Sequence, residues 1–222
     1  MASIAVSIAD EVAVRRASPQ DCLLRSCDIA LSLVALLCFF PLMLAIALAI
    51  RVSGGPGPVF FAHRRIGYGG RYFHCLKFRS MVSNADEKLQ HLLATCPESR
   101  LIWERDQKLR NDPRITPIGR FLRKTSLDEL PQFWNVLIGD MSLVGPRPII
   151  EAERRRYGRY FTSYTLVKPG ITGLWQISGR NDVSYRRRVA MDVAFARSLS
   201  PMLYFKILVL TIPAVLLARG SA

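Results

Sequence analysis

The stretch IALSLVALLCFFPLMLAIALAI, residues Ile29–Ile50, is a run of 22 positions without a charged side chain, bounded by Arg25 and Asp28 on one side and Arg51 on the other. As a straight helix it would rise ~33 Å, enough to cross a hydrocarbon layer of ~30 Å. Pro41 stands near its middle. Proline lacks a backbone donor and its ring presses on the carbonyl four residues earlier, so the sequence predicts a kink or a membrane break at Pro41. Broken there, Ile29–Phe40 and Pro41–Ile50 would each reach ~15–18 Å, about half the layer. Two readings stand at this point: a helix that crosses with a kink, since transmembrane helices tolerate proline, and a re-entrant helix–break–helix that dips in and returns.

Outward from this run the charge is lopsided. Residues 1–28 hold three Arg and four acidic groups, a net of −1, whereas residues 51–222 hold 28 basic and 13 acidic groups, a net of +15. The positive-inside tendency keeps the larger part cytoplasmic, and Arg15, Arg16 and Arg25 pull the other end of the run to the same face. A secretory signal peptide is the competing reading, with small residues at Ala45, Ala47 and Ala49. The apolar run is long for one, and no Lys or Arg precedes Arg15. Residues Ile207–Ala218 form a second apolar stretch, of 12 residues, too short to span and interrupted by Pro213, which suits core or an interfacial anchor.

Over the whole 222 residues, half are hydrophobic, and 31 Lys and Arg against 17 Asp and Glu give +14. That excludes a disordered chain and points to anionic partners: nucleic acid, a membrane surface or phosphorylated substrates. Five cysteines, an odd count without a CxxC pair, argue against a disulfide framework or a zinc knuckle. His63, His74 and His91 lack metal-ligand spacing. After Arg51, Ser53-Gly54-Gly55-Pro56-Gly57-Pro58 ends the helix and marks a boundary. The division expected is a flexible N-terminal segment at 1–21, a membrane helix at 22–52 and a cytoplasmic domain at 53–222.

Within that domain, Val59–Phe61 and Arg71–Phe78, separated by Gly67, Gly69 and Gly70, predict a small β-hairpin. From Asn84 to about Leu109 the pattern is helical, with Ala85, Leu89, Leu92, Leu93 and Cys96 on one face and a restart at Pro97. Residues Glu151–Tyr164 and Arg186–Arg197 predict two basic helices suited to anionic headgroups. The fold class is α+β, mainly helical.

Reactive side chains are densest at Arg123-Lys124-Thr125-Ser126-Leu127-Asp128-Glu129-Leu130-Pro131. Ser126-x-x-Glu129 matches a capping box, a purely structural use of the acids. With Ser126 as N-cap, however, the ring of Pro131 would fall inside the helix and clash with Leu127. A later helix start removes the clash and puts Asp128 and Glu129 at the helix mouth, where phosphates also bind. Lys77, Arg79, Arg114 after Pro113, and Arg147 between Pro146 and Pro148 supply cations on stiff supports. Four cations and two carboxylates suit phosphoryl chemistry: one carboxylate can attack phosphorus while its neighbour holds a divalent metal.

Arg25-Ser26-Cys27-Asp28, Lys77-Phe78-Arg79-Ser80-Met81, Asn111-Asp112-Pro113-Arg114-Ile115-Thr116, Ser126–Gln132, Val144-Gly145-Pro146-Arg147-Pro148 and Lys168–Gln176 follow in order through almost the whole chain. Together they resemble the bacterial sugar transferase family, the monotopic polyprenyl-phosphate hexose-1-phosphate transferases, and in particular its short exopolysaccharide-initiating members. The resemblance implies transfer of hexose-1-phosphate, of galactose or glucose type, from a UDP-sugar to undecaprenyl phosphate with release of UMP. Asp128 would be the nucleophile, forming an aspartyl-phosphosugar intermediate, and Glu129 would bind Mg2+ (or Mn2+). Arg114 and Arg147 match phosphate-contacting arginines, Lys77 and Arg79 a basic strand motif, and Pro41 the break of a re-entrant helix. It further implies a bacterial inner-membrane protein with its catalytic domain on the cytoplasmic face, bound to the lipid bilayer, needing no nucleic acid, and compatible with a homo-oligomer. Phe40 departs from the family's frequent serine and His63 from its frequent glutamine. The alternative is a membrane-tethered basic binding or scaffold protein without catalysis, which leaves the dyad without a task.

Overall fold

The computed structural model describes residues 18–53, 55–106, 109, 112–179 and 183–216. Residues 1–17 of the expected N-terminal segment, Gly54 of the boundary loop, Asn111 of the proline-bearing motif and the end of the C-terminal apolar stretch lie outside the described residues.

Helix α1, Pro19–Ser53, carries the apolar run. Its start precedes the expected residue 22 because Ser18 and Asp21 cap it: the Ser18 amide and hydroxyl both donate to Asp21 Oδ2 at 2.9 Å, and the Asp21 amide donates to Ser18 Oγ at 3.2 Å. Proline at the first helical position suits this start. Pro41 lies inside α1, with helical backbone on both sides of it. Only one amide is lost to proline, and the flanking turns continue the ladder.

Both ends of α1 pack on the rest of the chain. Leu24, Asp28 and Ser32 are buried at one end, Ile46 and Ile50 at the other, while all six residues Leu37–Leu42 are exposed. A helix lying along a surface would bury a residue every third or fourth position, so its middle stands clear of the domain.

Strands β1, Phe60–Ile66, and β2, Tyr72–Phe78, form the expected antiparallel hairpin, with Phe60 opposite Phe78 and Ile66 opposite Tyr72. Helices α2, Ala85–Thr95, and α3, Pro97–Asp106, follow, restarting at Pro97 as anticipated. The predicted face of α2 is its less exposed side, yet no residue of it reaches the core. Helices α4, Pro117–Thr125, and α5, Gln132–Ile138, lead to strand β3, Ser142–Val144, which pairs in parallel with β4, Gly170–Thr172. This second sheet was not foreseen. Its backbones approach so closely that a Cβ on Gly170 would sit 2.0 Å from the Gly145 amide nitrogen, and one on Gly145 would sit 2.4 Å from the Lys168 carbonyl oxygen. Glycine is required at both positions.

The first predicted basic helix breaks at Gly158 into α6, Glu151–Tyr157, and α7, Phe161–Thr165. After the short α8, Leu174–Ile177, come the second basic helix, α9, Tyr185–Ser198, and the apolar α10, Pro201–Leu216. The core that positions the site joins Leu24, Phe73, Cys75, Val136, Met141, Leu143, Phe195 and Tyr204.

Arg25 and Asp28 fix α1 to this core. Arg25 donates to the carbonyls of Val136 and Leu137 at 2.6 and 2.8 Å, closing the C-terminal end of α5. Buried Asp28 accepts from Ser142 Oγ, the Leu143 amide and the Tyr204 hydroxyl at 3.0, 2.8 and 2.7 Å. Asp28→Ala strands the last two donors and should lower stability by about 3 kcal/mol or more. Chemical denaturation of the protein in detergent checks this; a change under about 0.5 kcal/mol would show that these bonds do not hold the helix.

Candidate active site

Helix α4 ends where Ser126 adopts a left-handed conformation, φ 58° and ψ 15°, the one positive φ of a non-glycine residue among the described residues. Such a conformation is uncommon for serine and turns the chain sharply. A single 3-10 turn, Leu127–Glu129, follows, and Pro131 then serves as the N-cap of α5. Ser126 makes no side-chain cap, so the capping box does not form. The helix starts later than Ser126, as the ring of Pro131 demanded, and the two acids lie in the turn before it.

Lys77, near the end of β2, reaches across to that turn. Its Nζ lies 2.6 Å from Glu129 Oε1 and 3.7 Å from Asp128 Oδ2. Asp128 is buried, with 7% of its surface exposed. Burial pushes its carboxyl above the usual range, and Glu129 adds to this; Lys77 and Arg123 oppose it without cancelling it. Glu129 goes the other way: burial would raise it, but the Lys77 ammonium, Arg147 and the Lys77 hydrogen bond hold it below the usual range. Two neighbouring carboxyls thus have environments that drive them apart, a pattern that separates chemical roles. That difference would suit Asp128 to act as an oxygen base and Glu129 to ligate a cation.

A cleft opens beside the pair, lined by Arg65, Lys77, Glu129, Gln132, Arg147 and Gln176. Arg147 is exposed while Pro146 and Pro148 beside it are buried. Arg65 secures that loop, donating to the Pro148 carbonyl at 3.1 Å. The guanidinium carbons of Arg147 and Arg188 lie 5.9 and 4.6 Å from the centre of the Trp175 ring. Behind them, Asp192 accepts from the Tyr157 hydroxyl at 2.7 Å, and burial pushes its carboxyl up to about 7.

Lys77, Asp128, Glu129 and Arg147 are therefore brought together. Arg79 and Arg114 do not line the cleft, although Arg114 lies near enough to Arg123 to act on its charge, and Arg123 acts on Asp128. Arg79 donates to the carbonyls of Pro56 at 2.7 Å and Gly55 at 3.0 Å, clamping the loop that leaves α1. Arg114 forks onto Asp112, with contacts of 2.7 to 3.1 Å, and sits over Trp103. Sequence reasoning passed over Arg123, whose Nε donates to Ser80 Oγ at 2.8 Å and whose charge acts on Asp128. Its place one turn before the acids was the available signal. Among the described residues no group of three or more His, Cys, Asp or Glu side chains could hold a metal. Arg65, Arg188 and Trp175 also escaped assignment, because they come from β1, α9 and α8, which are distant in sequence.

Residues 19–218 match the family model described as bacterial sugar transferase. The chain belongs to that family. Among curated relatives, this bacterial sugar transferase is 49% identical over 197 residues to the exopolysaccharide production protein ExoY of Rhizobium meliloti, covering 89% of this chain and 87% of that protein. It is 52% identical to the UDP-galactose-lipid carrier transferase of Erwinia amylovora over 86% of this chain but 39% of the relative. Its identity to the UDP-glucose:undecaprenyl-phosphate glucose-1-phosphate transferase of Escherichia coli is 41%, over 85% of this chain and 39% of the relative. The transferase thus spans nearly all of ExoY and about two-fifths of the longer relatives.

The electrostatics of the pair can be tested directly. Lys77→Met removes the cation that lowers both carboxyls, so both should titrate at higher pH than in the wild type. The acid limb of the pH–kcat/KM profile should move to higher pH, because an ionised carboxylate is then lost sooner as pH falls. An unmoved limb would show that Lys77 does not govern them.

Proposed function

We propose that the chain transfers hexose-1-phosphate, of galactose or glucose type, from a UDP-sugar to undecaprenyl phosphate and releases UMP, the first membrane step in building an exopolysaccharide. The observation that carries this reading is the Lys77–Glu129–Asp128 arrangement, one dehydrated and one cation-held carboxylate beside Arg147, in a member of the sugar transferase family. An oxygen of Asp128 attacks the sugar-bearing phosphorus. The bond from that phosphorus to the bridging oxygen breaks, and its electron pair leaves with UMP. An oxygen of the lipid phosphate then attacks the same phosphorus and displaces the Asp128 carboxylate. Two displacements let one cleft serve a soluble donor and a membrane acceptor in turn.

Arg147 and Lys77 would receive the phosphate charge, and Arg123 would help to keep Asp128 anionic. Mg2+ (or Mn2+) would be held by Glu129 with the substrate phosphates. The donors suit it, since magnesium in such sites is bound through one or two carboxylates plus phosphate rather than by an all-protein cage. Its contribution would be to screen the charge of the diphosphate. Arg79 and Arg114 support the fold around the cleft on this reading rather than touching substrate.

The packing of α1 supports a re-entrant placement: both ends return to the domain while Leu37–Leu42 stands clear. That would put the catalytic domain on the cytoplasmic face of the bacterial inner membrane, with Asp128 where the lipid phosphate arrives.

Asp128→Asn should abolish both UMP release and lipid-linked sugar while the melting temperature holds. Incubating the wild type with donor alone should add one phosphohexose to the peptide bearing Asp128, and turnover without that adduct defeats the covalent route. Cys22 and Cys38, both exposed thiols, report the topology. An impermeant maleimide applied to inside-out vesicles should label Cys22 and spare Cys38; labelling of Cys22 from the opposite face alone would mean that α1 crosses.

A further inference from the structure

A second cavity, of about 210 Å3, lies away from the cleft and is lined by Tyr68, Arg71, Tyr72, Phe73, Asp140 and Lys168, with Gly67 and Gly139 completing the wall. It is separate from the catalytic site. Phe73 and Lys77 are four residues apart on β2, ~13 Å of strand, and Gln132 and Gly139 lie at opposite ends of α5, ~10 Å apart. Between the two cavities stand Cys75 and Asn135, each 1% exposed.

Lys168 is the unexplained feature of this cavity. It is half-buried, yet among the described residues it forms no hydrogen bond or ion pair. It could be a cation serving the C-terminal end of α5, but that post is taken: Arg25 holds the carbonyls of Val136 and Leu137, and the Gly139 amide donates to the Asn135 and Val136 carbonyls. A Cβ placed on Gly139 would lie 3.4 Å from Arg25 Nη2 and 3.5 Å from Lys168 Nζ, so the two cations crowd one point. Burial and then Arg25 draw the Lys168 ammonium below its usual value, with Asp28 and Asp140 opposing. An anion in the cavity would relieve that crowding.

The depth of the cavity follows from α1. The charge-free run begins at Ile29, directly after Arg25 and Asp28, and Arg25 touches the same turn that lines the cavity. Ile138, one residue before Gly139, is 54% exposed. A charged wall with an apolar neighbour at the end of a membrane run is the environment of lipid headgroups. The wall is mixed, however: Asp140, which accepts from Asn135 Nδ2 at 3.3 Å, lines it with Lys168 and Arg71 and acts on the Lys168 charge. A purely anionic headgroup would meet that carboxylate unfavourably. A phosphate joined to a primary ammonium satisfies both signs.

We propose that this cavity binds the headgroup of a zwitterionic phosphatidylethanolamine, its phosphate on Lys168 and Arg71 and its ammonium on Asp140. The site rests on the membrane placement of α1 proposed above, and seats the domain at a fixed depth.

The full chain is reconstituted in vesicles containing equal phosphatidylethanolamine, phosphatidylglycerol and phosphatidylcholine with a trace of undecaprenyl phosphate, then extracted gently. Retained lipid is read by native mass spectrometry. The wild type should keep one phosphatidylethanolamine per chain; Lys168→Ala and Arg71→Ala should each lower its retained fraction roughly tenfold, and Asp140→Asn should erase its advantage over phosphatidylglycerol. Equal retention of the three lipids, a preference for phosphatidylglycerol or undecaprenyl phosphate, or an unchanged fraction in the variants would overturn the site. Arg71 lies on the exposed hairpin turn, so Arg71→Ala keeps the test available if Lys168→Ala does not fold. A chain that floats with vesicles but retains no lipid sinks this site alone, whereas a chain that does not float sinks the membrane placement as well.

Discussion

An apolar helix and a domain of +15 charge can share one chain only if something polar joins them at the water boundary. Here the joint is Arg25 on the open carbonyls of α5 and Asp28 on β3 and α10. Desolvating a carboxylate is costly unless it is fully bonded, and Asp28 has three donors. Those bonds act through α5, a helix of seven residues and ~10 Å. Its C-terminal end carries the joint, and its N-terminal end follows the Asp128–Glu129 turn. The distance of the carboxyl pair from the apolar run is thereby set by one short rigid rod.

The same economy governs the electrostatics of the cleft. A buried carboxylate without a cation would protonate, and one bonded tightly to a cation would be a poor nucleophile. On the role proposed for Asp128, Lys77 resolves this by its unequal reach, 2.6 Å to Glu129 and 3.7 Å to Asp128. Glu129 takes the hydrogen bond and Asp128 only the field. The left-handed Ser126 makes that inequality possible, since it swings the turn so that adjacent acids face one ammonium at different distances. Backbone strain of this kind persists where the surroundings enforce it, and here α4, the 3-10 turn and Pro131 do so.

Much of this was legible in the residues. The hairpin, the restart at Pro97 and the convergence of Lys77, Asp128, Glu129 and Arg147 all follow local patterns or fixed motifs. What was not legible depended on distant partners. Strands β3 and β4 have three residues each, too short for alternation to register, and their pairing is set by the glycine contact between Gly145 and Gly170. The helical backbone on both sides of Pro41 also depends on packing, because Ile46 and Ile50 dock on Phe78, Leu122 and Leu130 and hold the second half helical.

The arginines show why position alone misleads. Arg79, Arg114 and Arg147 each stand on a stiff support, and by sequence each is an equal candidate for phosphate. The structure separates them by what lies within reach. Arg114 has Asp112 two residues away, in geometry that matches a planar guanidinium fork, so its charge is already answered. Arg79 meets the backbone carbonyls of Gly55 and Pro56, which the chain exposes as it leaves α1. Arg147 is flanked by prolines, forms no ion pair among the described residues, and rests on Trp175, an aromatic face that steadies a guanidinium without neutralising it. A cation that a fold immobilises but does not neutralise keeps its field for a ligand, and that distinction, more than motif membership, separates Arg147 from the other two.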